Sequence, residues 1–190
     1  ADAKPDAVVL VSFDESARII PALADAGVGP QQVGLFLCDG NLADYSATGS
    51  KPLPEGLRQG AKGTLPGAAS EDDFKARLMT VDPTLKEFAY APESYDAAII
   101  LGLATIAAGK DGGANVAAEM INVTTGGEKC TTFADCVKLL EGGSDIDYDG
   151  ISGPIEFGET GSPTAAAVGI YEYKDASNTY ELLESVNGKL

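Results

Sequence analysis

Two short apolar runs separated by a helix-length stretch narrow the fold of this chain more than anything else in it. The run "DAVVLVSF", Asp6 to Phe13, is valine-rich and continuous, the pattern of a strand buried on both faces of a parallel sheet. "DESARIIPALADAG" follows, with Asp14 as N-cap, Ala17, Ile20 and Leu23 at helical spacing and Gly27 after the last turn. Pro21 is expected to kink that helix. "QQVGLFLCDG" then supplies a second strand, Val33 to Leu37, ending at Asp39 and Gly40. Strand, helix and strand make a right-handed βαβ unit and place the chain in the α/β class.

The rest of the chain supports that class without repeating the unit. Residues 47–70 are rich in Gly, Pro, Ser and Ala, which reads as a linker, although "GAKGTLP" inside it can form a short strand. "SEDDFKARLMTV" starts a helix at a capping box formed by Ser70 and Asp73. The longest helix signal is Ala91 to Lys110, with Ala97, Ile100, Leu101, Ala104 and Ala108 on one broad apolar face. Helices over Ala114 to Val123 and Thr132 to Leu140 come next. The tail reads as strand and turn in "GPIEFGETGSP", then a hairpin with Asp175 to Asn178 at its tip.

Charge and composition remove several functions. Asp and Glu outnumber Lys and Arg by 29 to 13, a net charge of −16, and this opposes binding to nucleic acid or to an anionic membrane surface. There is no histidine, which excludes histidine-based triads, histidine zinc sites and imidazole acid–base catalysis. No phosphate-binding glycine motif or C-x-x-C pair occurs. No cofactor is expected. A carboxylate-dependent enzyme is the catalytic alternative, but two catalytic acids look like any two of the 29 in sequence.

The cysteines bear on location. Cys130 and Cys136, with five residues between them, lie in a polar segment leading into a helix, where a local disulfide would staple loop to helix and imply an oxidising, extracytoplasmic compartment. Two unconnected thiols are the alternative. Cys38 reads as a small buried hydrophobe. No signal-peptide pattern precedes Ala1 and no apolar run is long enough to span a membrane, so a mature or trimmed soluble chain is expected.

"DIDYDGISGPIE", Asp145 to Glu156, fits the calcium-loop template D-x-D-x-D-G-x5-E through Asp145, Asp147, Asp149, Gly150 and Glu156. A calcium helix–loop–helix needs a helix leaving the loop, and Pro154 with the strand-like "IEF" denies it. An acidic loop entering a strand is the preferred reading, with no metal site.

"YDAAIILGLATIAAG", the Cys130/Cys136 segment, "DIDYDGISGPIEFGETGSP" and "GIYEY" together resemble the C-terminal half of the type I periplasmic solute-binding proteins. The branch they resemble holds the branched-chain amino acid receptors of ABC transporters, particularly actinobacterial ones. Tyr148, Gly150, Ser152, Gly153, Pro154 and Phe157 match that family's Y-x-G-x-S-G-P-x-x-F stretch, a strand and turn near the hinge. The resemblance implies two α/β lobes closing on a hinge over a small amino acid or related amide, no catalysis, and ABC permease subunits as partners. It implies that residues 1–63 belong to the second lobe, 64–163 to the first, and 164–190 return to the second. Full receptors are much longer, so a ligand site here would be half present, and exposed apolar surface would favour self-association. A ligand-sensing domain of a signalling receptor is the alternative with the same fold.

Ligand contacts are expected at the carboxyl ends of the strands. Asp39 matches the acidic position that pairs with the ligand's α-ammonium in amino acid receptors, and Phe13 matches a position of aromatic or polar contact. Ser12 and Asn41 are weaker candidates. A turn former at Asp39 and a core aromatic at Phe13 are the bland readings. Tyr95 and Asp96 match a family helix motif, where packing and helix start are preferred over ligand contact.

Overall fold

Burial along the first two strands alternates, and that alternation organises half of the molecule. In the computed structural model, which describes residues 3–49, 51–67 and 70–189, β1 (Ala7–Leu10) and β2 (Gly34–Leu37) pair in parallel. Val8 and Leu10 of β1 and Leu35 and Leu37 of β2 face the core, whereas Ala7, Val9, Gly34 and Phe36 face outward and are exposed. The expectation of a strand buried on both faces is therefore corrected. Its outward residues are apolar, yet only one face is covered.

The cover is α1 (Ser16–Asp25), which lays Ile20, Ala17 and Leu23 on that face and runs through Pro21 without a break. Glu15, not Asp14, is its N-cap, and Asp14 instead forms an ion pair with Lys51. Leu35, Leu37, Leu42, Tyr45, Leu65, Tyr171 and Tyr173 complete the core. Each such leucine contributes about 1.5–3 kcal/mol by leaving water.

The sheet continues to β3 (Lys62–Pro66), parallel to β2, then β6 (Ala165–Glu172), antiparallel to β3, and β7 (Glu181–Lys189) at the far edge. The segment read as a linker thus contains a central strand. Its other part is packed, with Leu53 and Leu57 against the core and Arg58 fully buried. Helix α2 (Asp72–Val81) follows Glu71 as N-cap and has no capping box, because the Ser70 hydroxyl donates to the Phe88 carbonyl at 3.1 Å.

Chain contacts divide the molecule into two compact units, Ala1–Phe88 with Val168–Val186 and Ala89–Ala167 with Asn187–Leu190. The chain passes between them three times. The first break falls after Phe88, and β3 stays in the first unit between β2 and β6.

The second unit is built on α3 (Ala91–Ala108), α4 (Gly113–Glu119), α5 (Phe133–Glu141) and a small parallel pair, β4 (Glu128–Cys130) and β5 (Ile146–Tyr148). Ile100, Leu103 and Ala104 of α3 pack with Val123, Ile146 and Tyr148. Ala97 and Leu101, expected on that face, are exposed instead. Thr132 caps α5 by accepting from the Asp135 amide at 3.2 Å. The Cys130–Cys136 disulfide joins the end of β4 to α5, with Cα atoms 5.4 Å apart, and Cys136 is buried. Cys38 is free and only half-buried. The stretch after Pro154 forms a turn closed by a Phe157–Pro163 bridge and not a strand.

Candidate functional site

In the first unit, the loops leaving β1 and β2 meet at the carboxyl ends of two parallel strands. Ser12 and Phe13 follow β1, and a single 3-10 turn, Asp39–Asn41, follows β2. The side chain of Asn41 ties them together. Its amide donates to the Leu10 carbonyl at 2.9 Å and to the Ser12 hydroxyl at 2.8 Å, while its carbonyl oxygen accepts from the Cys38 amide at 3.0 Å. The Cys38 thiol leans on the Ser12 carbonyl at 3.6 Å. Ser12 and Asn41 are buried and occupied with one another, so they hold the loops in place.

Asp39 and Phe13 stand on the outside of that knot. Asp39 is exposed in the first turn of the 3-10 helix, and the Phe13 ring is 70% exposed. Gly40 lets the turn pack closely against the loop after β1, because a Cβ there would lie 2.7 Å from the Phe13 ring and 2.8 Å from the Ser12 carbonyl oxygen. An exposed carboxylate and an exposed aromatic ring on two neighbouring loops are groups that can receive an ammonium group and an apolar side chain.

Beneath the turn lies a residue that sequence reasoning missed. Arg58 is fully buried, and its guanidinium donates to the Asn41 carbonyl at 2.8 Å and the Ser16 hydroxyl at 3.0 Å. It lies 3.5 Å above the Tyr45 ring and 5.5 Å from that of Tyr173, so aromatic faces supply part of the negative potential a buried cation needs. No carboxylate is among its partners, and its Nε is unpaired. The Tyr173 hydroxyl donates to the Ala43 carbonyl at 2.7 Å. Burial pushes that phenol up to about 12, against the opposing pull of Arg58. Asn178, in the left-handed region at φ 59°, accepts from the Arg58 amide at 3.1 Å and donates to the Pro54 carbonyl at 2.7 Å. The sequence signal for this network is slight, an arginine between Leu57 and Gln59 in a cation-poor chain.

The calcium-like loop lies in the second unit. Asp96, on α3, is buried and accepts from the Tyr148 hydroxyl at 2.7 Å, the Ser152 amide at 2.7 Å, the Ser152 hydroxyl at 2.6 Å and the Ile151 amide at 3.2 Å. A Cβ on Gly150 would fall 2.2 Å from its carboxyl carbon. The glycine and serine of the apparent calcium loop thus wrap a carboxylate of the protein itself. Burial, followed by the Asp96 hydrogen bond, pushes the Tyr148 phenol well above the usual tyrosine range. Asp147 and Asp149 face Lys129, whose ammonium lies 3.0 and 2.9 Å from them. Their hydrogen bonds, Asp149 first, raise the Lys129 pKa. Among the described residues no group of three or more ligating side chains is arranged to hold a metal ion. Tyr95 is half-buried on the same helix.

No family model matches the chain, and no curated protein matches it. Among solved structures it is similar to the leucine-binding protein LivK from Thermotoga maritima MSB8, with a TM-score of 0.64 at 18% identity. The likeness covers 97% of this chain and 45% of that one, so the chain spans less than half the length of the protein it matches. At that identity the likeness speaks for the fold. The chain has a partial type I periplasmic-binding-protein fold, a mixed α/β architecture with a mainly parallel sheet flanked by helices.

Proposed function

We propose that this chain is the solute-binding component of an ABC transporter, acting outside the cytoplasm and delivering its solute to permease subunits. The solute is a small amino acid of the branched-chain type, or a related amide, taken into a hinged cleft. Asp39 receives its α-ammonium and Phe13 covers its side chain. A second copy of the chain is a further partner. The reading has no catalytic step.

The observation that carries this reading is the pairing of exposed Asp39 and Phe13 over a buried scaffold at the carboxyl ends of β1 and β2. Ser12, Asn41 and Arg58 hold that scaffold beneath the two outer groups. The likeness to a leucine-binding protein and the Cys130–Cys136 disulfide agree with an exported binding protein.

A thermal-shift screen against leucine, isoleucine, valine, other amino acids and short amides tests it. A ligand at a hundred times its dissociation constant adds about 2.7 kcal/mol of stability. One amino acid is expected to raise the melting temperature of the wild-type chain, and Asp39→Asn to abolish that rise without altering the unliganded melt. No shift with any amino acid overturns amino acid binding by this chain alone. A shift that survives in Asp39→Asn moves the site elsewhere.

A further inference from the structure

The segment that carries Arg58 has no regular structure of its own and is gripped by the tip of the β6–β7 hairpin. Asn178 makes that grip from 120 residues further along the chain. Its side-chain oxygen accepts from the Arg58 amide at 3.1 Å, while its side-chain amide donates to the Leu53 carbonyl at 3.3 Å and the Pro54 carbonyl at 2.7 Å. The Asn178 carbonyl accepts from the Tyr45 amide at 3.1 Å, and the Ala176 carbonyl beside it accepts from the Gly56 amide at 2.8 Å. Both side-chain donors and the acceptor of Asn178 are in use, and the residue is 1% exposed. Asparagine is also one of the few residues that reach a φ of 59° readily, so this position uses its side chain and its backbone freedom together.

From Arg58 the bonds run on to the candidate site. The Arg58 backbone is fixed by Asn178 at its amide and by the Ala61 amide at its carbonyl. The guanidinium then ends on the carbonyl of Asn41 at 2.8 Å, the last residue of the turn that begins with Asp39. Asn41 in its turn holds the Cys38 amide and the Ser12 hydroxyl with its side chain. A shift of the Arg58 backbone by about 1 Å is enough to carry the bond to Asn41 out of range. Asn41, Arg58 and Asn178 all lie buried within the first unit, so a bond lost here is not replaced by bulk water.

We infer that Asn178 is a positioning residue for the Asp39 turn, acting through Arg58 and Asn41. What the turn is held for rests on the solute-binding reading, whereas the series of bonds does not.

Hydrogen exchange followed amide by amide in the unliganded chain tests it. Asn178→Gly keeps the left-handed backbone and removes the three side-chain bonds. The Cys38 and Asn41 amides are expected to exchange about tenfold faster in this variant than in the wild type. Leu65→Ala loosens the same core but makes none of these bonds, and is expected to speed the slow amides of β2 without speeding those of the turn. An Asn178 that is merely structural behaves like Leu65. Turn amides that keep their wild-type rates in Asn178→Gly, or that quicken only as much as those of β2, overturn the inference. Arg58→Met is expected to speed the same two amides, and adding Asn178→Gly to it to speed them little further. Two fully additive effects overturn the route through Arg58. No ligand enters the measurement, so failure here refutes the positioning role, while failure of the thermal-shift screen refutes the solute-binding reading.

Discussion

Arg58 in the first unit and Asp96 in the second are buried charges with no counter-ion among the described residues, and they are satisfied by opposite means. Arg58 in the first unit gives its protons to a backbone carbonyl and a hydroxyl and rests on the Tyr45 and Tyr173 rings, leaving Nε unpaired. Asp96 in the second receives four hydrogen bonds, two of them from consecutive backbone amides. Backbone amides suit a carboxylate because a short turn can converge several donors on one point. A planar guanidinium has a broad face as well as five donors, so aromatic stacking covers what too few acceptors leave open. The carboxylate is the better satisfied of the two, and a closed loop is the result. The arginine holds together three separate segments around the candidate site.

That contrast makes removal of Asp96 the largest expected effect. Asp96→Ala leaves the Tyr148 and Ser152 hydroxyls and two backbone amides without their acceptor, and is expected to cost more than the about 1–3 kcal/mol of a single unsatisfied group. Hydrogen exchange is expected to show the loss in the second unit, with the first unit protected as before. Equal loss of protection in both would show that the units do not open separately.

Arg58→Met comes next. The methionine keeps much of the volume beside Tyr45 but deprives the Asn41 carbonyl and Ser16 hydroxyl of a donor, an expected cost of about 1–3 kcal/mol. Loss of exchange protection is expected around residues 38–45 and in the first unit only. A wild-type melting temperature would mean that the guanidinium is replaceable by apolar volume. The contrast with Asp96 would then be one of kind and not of degree.

The smallest effect is confined to alkaline solution. The Tyr173 pKa is raised by burial, so the folded state holds its phenolic proton after the unfolded chain has lost it. The stabilising contribution is whole below the ordinary tyrosine value of about 10 and disappears as pH rises through the folded value of about 12. Comparing wild type with Tyr173→Phe between those limits isolates it from exposed lysines that titrate in the same window. An unchanged slope in Tyr173→Phe would assign the alkaline loss to other groups.

Much of the architecture was legible from pattern. The β1–α1–β2 unit, α3, α5, the closing hairpin and the Cys130/Cys136 staple all follow from periodicity, capping residues or cysteine spacing. The three-residue strands β4 and β5 left too short a signal. Composition misled at residues 47–70, since Gly and Pro mark turns equally well in a linker and in a tightly packed loop. At the candidate site the sequence singled out Ser12, Phe13, Asp39 and Asn41 by their place after two strands. It could not separate Ser12 and Asn41, which are spent on each other, from Phe13 and Asp39, which face outward.

The sequence by itself determined the elements, because helix and strand periods, caps and turns are properties of neighbours along the chain. It also settled the acidic surface and the absence of any imidazole chemistry. Only the tertiary structure decided which face of β1 is covered, that Gly150 and Ser152 enclose Asp96 where a cation was conceivable, and that Arg58 supports the turn carrying Asp39. The last two rest on contacts between residues 17 and 56 apart in the chain, Arg58 with Asn41 and Ser152 with Asp96. Such contacts are selected by which surfaces can be buried together, and no local pattern encodes that choice.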